Sequence, residues 1–124
     1  MIKLRGAKVT SVAKPWGKEL WFARGNNYVG KILTINRGHK ISLQYHKVKH
    51  ETIHVLKGRL KLELSGKVGI LEQGTSAIIP TKAVHRFGAP FGRVTLLEVS
   101  TPEVWDVVRL DDDYGRVDRR KNGR

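Results

Sequence analysis

Apolar and polar residues alternate along much of the chain with a period of two. The clearest run is Leu60, Leu62 and Leu64, which alternate with Lys61 and Glu63. Because successive side chains of a β-strand point to opposite faces, this spacing predicts a strand that is buried on one side. No window of the sequence sustains the 3.6-residue period of an amphipathic helix. The chain is therefore predicted to consist of strands.

Turn residues such as Lys57-Gly58 and Ser65-Gly66 divide the sequence into about ten short strands. The predicted strands, the first of them an edge strand, cover residues 4–12, 19–23, 28–35, 41–46, 52–56, 60–64, 67–71, 77–79, 84–87, 92–99 and 104–110. This pattern is typical of an all-β sandwich or barrel, and we expect a jelly-roll β-barrel. One domain is expected over residues 1–116, and the basic tail, residues 117–124, is predicted to be disordered.

Composition narrows the setting in which the protein works. The sequence has no cysteine, which excludes disulfides and thiolate metal sites and is compatible with a reducing cytoplasm. No apolar stretch approaches the length of a membrane span, and the first six residues contain no signal core. We therefore expect a cytoplasmic protein without a membrane partner.

The net charge of +13 favours anionic partners. The basic residues are spread along the chain, and no nucleic-acid-binding motif accompanies them. A phosphorylated small molecule is therefore favoured over nucleic acid, although a solvated basic surface would have the same composition.

The segment from Gly38 to Gly58 contains residues suited to binding a metal ion. Gln44 and His46 are two residues apart, so they share one face of a strand. Glu51 follows after a short polar break. A hairpin of this kind brings together an amide oxygen, an imidazole and a carboxylate, which are ligands for zinc, iron, manganese or nickel. The fourth predicted ligand is His85, and zinc is the favoured ion.

Glu98 is a second candidate functional residue. It is predicted to share a strand face with Val94 and Leu96. A carboxylate among apolar neighbours needs a partner or has a raised pKa. Glu98 is thus either a catalytic acid–base or the partner of a buried arginine.

Two spaced motifs resemble those of the cupin superfamily, whose members are small jelly-roll β-barrels. The first motif matches at Gly38, Gln44, His46, Glu51 and Gly58, with Gln44 in place of the first histidine. The second matches at Gly74, Pro80 and His85, with Lys82 in place of a glycine and Ala89 in place of an asparagine. Within the cupins, the chain looks like the type II phosphomannose isomerase domain. That resemblance rests on four segments: Lys14-Pro15-Trp16-Gly17, Leu43-Gln44-Tyr45-His46, His85-Arg86, and 109–116.

The resemblance implies a metal-dependent aldose–ketose isomerase that interconverts mannose 6-phosphate and fructose 6-phosphate. Glu98 and Arg86 are then the expected catalytic residues, and Arg86 and Lys82 are expected to hold the phosphate. Arg109 and Arg116 either bind phosphate or pair with the acidic run 111–113, and pairing is favoured for Arg109.

Two other functions remain open at this point. A metal-binding cupin of this kind could bind sugars or act as a regulator without catalysis, or it could be a metal-dependent oxygenase. The run after Gln44 differs from that of the phosphomannose isomerases, because Lys47, Val48 and Lys49 follow His46. This difference bears on substrate identity more than on fold or metal. Cupins commonly dimerise, so the resemblance also implies a homodimer.

Overall fold

The computed structural model describes residues 4–117, which form eleven β-strands and contain no helix. The strands are β1 (Thr10–Lys14), β2 (Gly17–Arg24), β3 (Val29–Ile35), β4 (Leu43–Tyr45), β5 (Glu51–Lys57), β6 (Leu60–Leu64), β7 (Lys67–Leu71), β8 (Ser76–Ile79), β9 (His85–Gly88), β10 (Val94–Ser100) and β11 (Val108–Asp111). The all-β prediction is confirmed. The described residues contain no helix with the length and hydrophobicity that crossing a membrane requires.

The strands form two antiparallel sheets. One has six strands in the order β1-β2-β3-β10-β5-β8, and the other has five in the order β11-β4-β9-β6-β7. Among the described residues the ladders stay within these two sheets, so the closed barrel that we expected is not formed by strand pairing.

One apolar core joins the two sheets. Ile53, Val55 and Leu96 reach it from the six-stranded sheet, and Leu60 and Phe87 reach it from the five-stranded sheet. All five side chains are at most 1% exposed. Burial alternates along β10, as the period of two predicts for a strand with one face on a core.

Two terminal predictions were less accurate. Residues 4–9 are not in a strand, and the first strand begins only at Thr10. The predicted strand over 104–110 begins at Val108, because the preceding residues form tight turns in which Asp106 N donates to Glu103 O. The tail was predicted over residues 117–124, and residues 118–124 lie outside the described part of the chain.

Gly58 closes the turn between β5 and β6. Its φ is +86°, a backbone conformation that residues with a Cβ rarely adopt. A Cβ at this position would also lie 2.5 Å from the carbonyl oxygen of Arg93. The last glycine of the first motif is therefore required by both backbone conformation and space.

Two isoleucines in adjacent strands offer a test of this core. Ile53 in β5 is fully buried, whereas Ile78 in β8 is 69% exposed. Ile53→Ala should lower the free energy of unfolding by about 2–5 kcal/mol, because it leaves a cavity in the core. Ile78→Ala should change it by less than about 0.5 kcal/mol. Denaturant unfolding of both variants measures the difference, and equal losses would contradict the assigned faces.

Candidate metal centre and cavity

Three side chains from separate segments meet at one point inside the protein. His46 follows β4, Glu51 begins β5, and His85 begins β9. One ligand atom from each lies within 4.8 Å of the others, and all three residues are buried. The sequence prediction that these residues converge therefore agrees with a group that could hold a metal ion.

Backbone carbonyls orient both imidazoles. Nδ1 of His46 donates to the carbonyl oxygen of Asp106, and Nδ1 of His85 donates to that of Ala83 at 2.9 Å. A carbonyl only accepts hydrogen bonds, so the proton of each neutral ring lies on Nδ1 and the lone pair on Nε2. Both Nε2 atoms are buried and have no hydrogen-bond partner among the described residues. Two lone pairs are thus available for a ligand at the centre of the group.

The donor set fits a borderline divalent cation. Nε2 of His46 lies 3.3 Å from Oε1 of Glu51, without the geometry of a hydrogen bond. A nitrogen lone pair and a carboxylate oxygen repel each other unless a proton or a cation lies between them. Two imidazole nitrogens and one carboxylate oxygen are ligands that zinc and similar ions accept.

The ionisation of the group also suits a cation. Burial lowers the pKa of His85, which favours the neutral imidazole that a metal needs. Burial alone would raise the pKa of Glu51, but the positive charge of Lys49, 3.4 Å away, holds that pKa below its usual range. Glu51 is therefore a carboxylate at neutral pH.

Gln44 lies next to this group on the five-stranded sheet. It is paired with His85 across β4 and β9, so the two side chains project to the same face. Its Oε1 accepts a hydrogen bond of 2.6 Å from Ser42, which leaves a second lone pair on the oxygen. Ligation by Gln44 remains a prediction.

Asp106 holds the loop that carries His46. Its carboxylate accepts backbone N–H bonds from Lys47, Val48 and Lys49 at 2.7–2.9 Å. Although burial opposes ionisation, these three bonds lower the pKa of Asp106. Asp106 was not predicted as a functional residue, since nothing in a local pattern links it to a loop nearly sixty positions earlier.

A buried charge cluster lies beside the candidate metal ligands. Nζ of Lys49 is 3.4 Å from Oε1 of Glu51 and 3.4 Å from Oε2 of Glu98. Burial opposes protonation of Lys49, but the charges of Glu98 and Glu51 raise its pKa, so it keeps its proton. Burial and then the negative charge of Glu51 raise the pKa of Glu98 to about 7. Glu98 thus has a partner, which is a lysine and not the arginine that we considered.

The two residues expected to hold phosphate lie elsewhere. Arg86 is buried, its Nε donates to the carbonyl of Ile41 at 2.9 Å, and its Nη2 donates to that of Asp111 at 3.0 Å. Lys82 is exposed, with a φ of +69°, and its backbone N–H donates to the carbonyl of His46. Neither residue lines the cavity beside the metal group. Arg86 instead ties β9 to the segment before β4 and to β11.

A cavity opens next to the metal group and is lined by many charged side chains. Five are basic and three are acidic: Lys14, Lys31, Lys49, Arg109 and Arg116, with Glu19, Glu51 and Glu98. The lining also includes Gln44 and the aromatic side chains of Trp16, Trp21 and Phe87. The excess of positive charge favours an anionic ligand.

Replacement of a ligand histidine tests the metal group. His46→Ala should lower the affinity for a divalent cation by at least roughly tenfold, because one of the convergent nitrogens is lost. His54→Ala is the matched control, since His54 lies in β5 but bonds to Ser76 away from the group. Chelator competition measures both affinities. Equal metal binding by the two variants would remove His46 from the site.

Comparisons with known proteins agree with these features. Residues 5–113 match the family described as mannose-6-phosphate isomerase C-terminal. The chain is 36% identical over 111 residues to mannose-1-phosphate guanylyltransferase ManC of Salmonella typhimurium, and 32% identical over 111 residues to alginate biosynthesis protein AlgA of Pseudomonas aeruginosa. Each match covers 86% of this chain but 23% of the relative. The chain therefore spans about a quarter of the length of these relatives.

Solved structures show the same fold at low sequence identity. An RmlC-like cupin from Shewanella frigidimarina has a TM-score of 0.72 and 15% identity, with 78% of this chain and 86% of that chain covered. Streptomyces PAC13 with uridine has a TM-score of 0.73 and 14% identity, with 90% and 93% covered. The family match extends over nearly all of the described residues and includes both candidate metal-binding motifs. This chain belongs to the mannose-6-phosphate isomerase C-terminal family, and its fold is that of the cupins.

Proposed function

We propose that the protein is a metal-dependent isomerase that interconverts an aldose phosphate and a ketose phosphate, with mannose 6-phosphate and fructose 6-phosphate as the pair. One observation carries the proposal. Glu51, which belongs to the group that could hold a metal ion, and Glu98, a buried carboxyl group with a pKa of about 7, line the same positively charged cavity. Proton transfer next to a carbonyl requires an acid–base and a cation that stabilises the carbonyl oxygen, and this combination could supply both.

The metal ligands in this proposal are His46, Glu51, His85 and Gln44. Zinc is the ion that we favour, with iron, manganese or nickel as alternatives that the same donors accept. A divalent ion, when bound, polarises the carbonyl and hydroxyl oxygens of a sugar. The carbonyls of Asp106 and Ala83 keep both imidazoles turned toward that position before any ligand arrives.

Glu98 is the proposed acid–base. Isomerisation removes a proton from the carbon next to a carbonyl and returns a proton to the neighbouring carbon. A carboxyl group with a pKa of about 7 can both accept and return that proton near neutral pH. Lys49 holds Glu98 in place through its ammonium group, 3.4 Å away. Lys49 has one positive charge and cannot neutralise both carboxylates. Glu51 therefore stays ionised, while Glu98 can accept and return a proton.

The choice of sugar rests on similarity. The family description names mannose 6-phosphate, and the relative from Salmonella typhimurium is named for mannose 1-phosphate. The guanylyltransferase activity in that name belongs to a much longer protein, and we do not extend it to this chain. The excess of basic residues around the cavity supports a phosphorylated sugar over a neutral one.

An isomerase assay tests the proposal. The purified chain, supplied in turn with zinc, iron, manganese and nickel, is incubated with mannose 6-phosphate, and fructose 6-phosphate is measured. A panel of other aldose phosphates identifies a different sugar. Oxygen uptake with iron is measured in parallel. The absence of conversion of every sugar phosphate with every ion would overturn the proposal, and oxygen uptake would favour an oxygenase.

Glu98→Gln separates proton transfer from metal binding. The variant keeps the size of the side chain but cannot accept a proton, so kcat should fall by at least roughly a hundredfold. Bound metal should be unchanged. The control is Glu72→Gln, which alters an exposed carboxylate paired with Arg59. A kcat within twofold of the native value for Glu98→Gln would exclude Glu98 as the acid–base.

A further inference from the structure

Arg109 has an unusual position beside the candidate metal centre. It lies in β11 opposite Gln44 in β4, and Gln44 lies opposite His85 in β9. Directly paired residues of antiparallel strands project to the same face, so the three side chains form a row. Because neighbouring strands are about 4.8 Å apart, the Cα atom of Arg109 lies roughly 10 Å from that of His85.

The guanidinium of Arg109 has a buried donor without a partner. Its Nε is buried and makes no hydrogen bond to any of residues 4–117. Arg109 lines the cavity together with Lys14 and Arg116. A buried donor left unpaired is costly, and native proteins mostly satisfy such groups with protein, water or a ligand.

Three of the other four basic groups around the cavity are already paired. Lys31 lies 3.5 Å from Glu19, and Lys49 lies between Glu51 and Glu98. Arg116 forms a two-pronged contact with Asp112, with bonds of 2.7 and 3.2 Å. These pairings leave the positive charges of Arg109 and Lys14 available to a ligand.

The carboxylates near Arg109 are engaged with other residues. Glu19 accepts a bond of 2.8 Å from Nε1 of Trp21 in addition to its contact with Lys31. Asp112 also accepts the backbone N–H of Arg116 at 2.8 Å. An anion that enters the cavity would therefore meet Arg109 without displacing a protein carboxylate.

We propose that Arg109 is the principal phosphate-binding residue of the cavity and that Lys14 assists it. The planar guanidinium can donate two parallel hydrogen bonds to a phosphate, whereas the lysine contributes a point charge. The inference rests on the proposed function for the identity of the sugar. It also replaces Arg86 and Lys82 in the role that the sequence analysis expected of them, because those residues do not line the cavity.

This position fits the layout of a sugar 6-phosphate. The reacting carbons, C1 and C2, lie at one end of such a molecule and the phosphate lies at the other. Arg109 is separated from the metal ligand His85 by one strand of the sheet. A substrate whose reacting end faces His85 and Glu98 can therefore direct its phosphate along the row toward Arg109.

Binding measurements on four proteins test the inference. Calorimetric titration of metal-loaded native protein, Arg109→Gln, Arg109→Lys and Arg37→Gln compares mannose 6-phosphate, inorganic phosphate and free mannose. Arg37 is the matched control, since it is exposed and does not line the cavity. Thermal unfolding and metal content are measured on each protein, and Arg109→Lys provides a second variant that keeps the charge if Arg109→Gln does not fold.

The expected result is a loss that depends on the phosphate group. Arg109→Gln should weaken mannose 6-phosphate and inorganic phosphate by roughly ten- to a hundredfold and leave free mannose within about twofold. Arg109→Lys should show a smaller loss, because it keeps the charge without the fork. Arg37→Gln should bind all three ligands as the native protein does.

Other outcomes separate this inference from the proposed isomerase. Unchanged phosphate affinity in Arg109→Gln, equal losses for phosphorylated and free mannose, or no binding of either phosphate compound by native protein would each overturn the role of Arg109. Arg109-dependent binding of mannose 6-phosphate without conversion to fructose 6-phosphate would support the phosphate site and refute the isomerase. Conversion by Arg109→Gln with the native KM would refute the phosphate site alone.

Discussion

The hydrogen bonds of Asp106 hold together the region on which the candidate site depends. Its carbonyl orients the imidazole of His46, and its carboxylate accepts three consecutive backbone N–H groups of the following loop. That loop delivers Lys49 and Glu51 to the interior. One residue just before β11 thus positions a candidate metal ligand, a buried cation and the start of β5. Without these bonds three consecutive backbone N–H groups of the loop would lose their protein partner.

Around this anchor, the fold tolerates an unusual concentration of buried charge. Lys31, Lys49, Glu51 and Glu98 are all less than 10% exposed. Removing charges from water is costly, and each of these groups lies within 3.5 Å of an opposite charge. The pairing is incomplete, because Lys49 faces two carboxylates and both Nε2 atoms of the histidines lack partners. Such incomplete pairing within a well-packed sandwich is expected where structure has been adapted to bind a ligand.

Local sequence patterns predicted several residues of this site but not the contacts that join them to distant segments. The spacing of Gln44 and His46 indicated one face of a strand, and Gln44 is paired with His85 on the neighbouring strand. Lys49 lies two positions before Glu51, and this spacing could have predicted that both side chains lie on the same face. No comparable signal marked Asp106, whose bond to His46 joins residues 60 positions apart. For Arg109 the acidic run 111–113 favoured pairing, whereas its Nε has no partner among residues 4–117. The strand predicted over 104–110 was too long, because the apolar residues of this segment favoured a strand and gave no sign of the turns around Asp106.

The sequence alone determined the all-β class, most of the strands and the segments that supply the candidate metal ligands. These properties depend on the two-residue period and on turn residues, which act over a few neighbouring positions. Only the tertiary structure decided that the strands pair as two sheets, that Glu98 has a lysine partner, and that Arg109 instead of Arg86 lines the cavity. Those outcomes depend on sheet register and on contacts between distant segments. A short window of sequence contains neither, because the free energy of such contacts arises only when the whole core is packed.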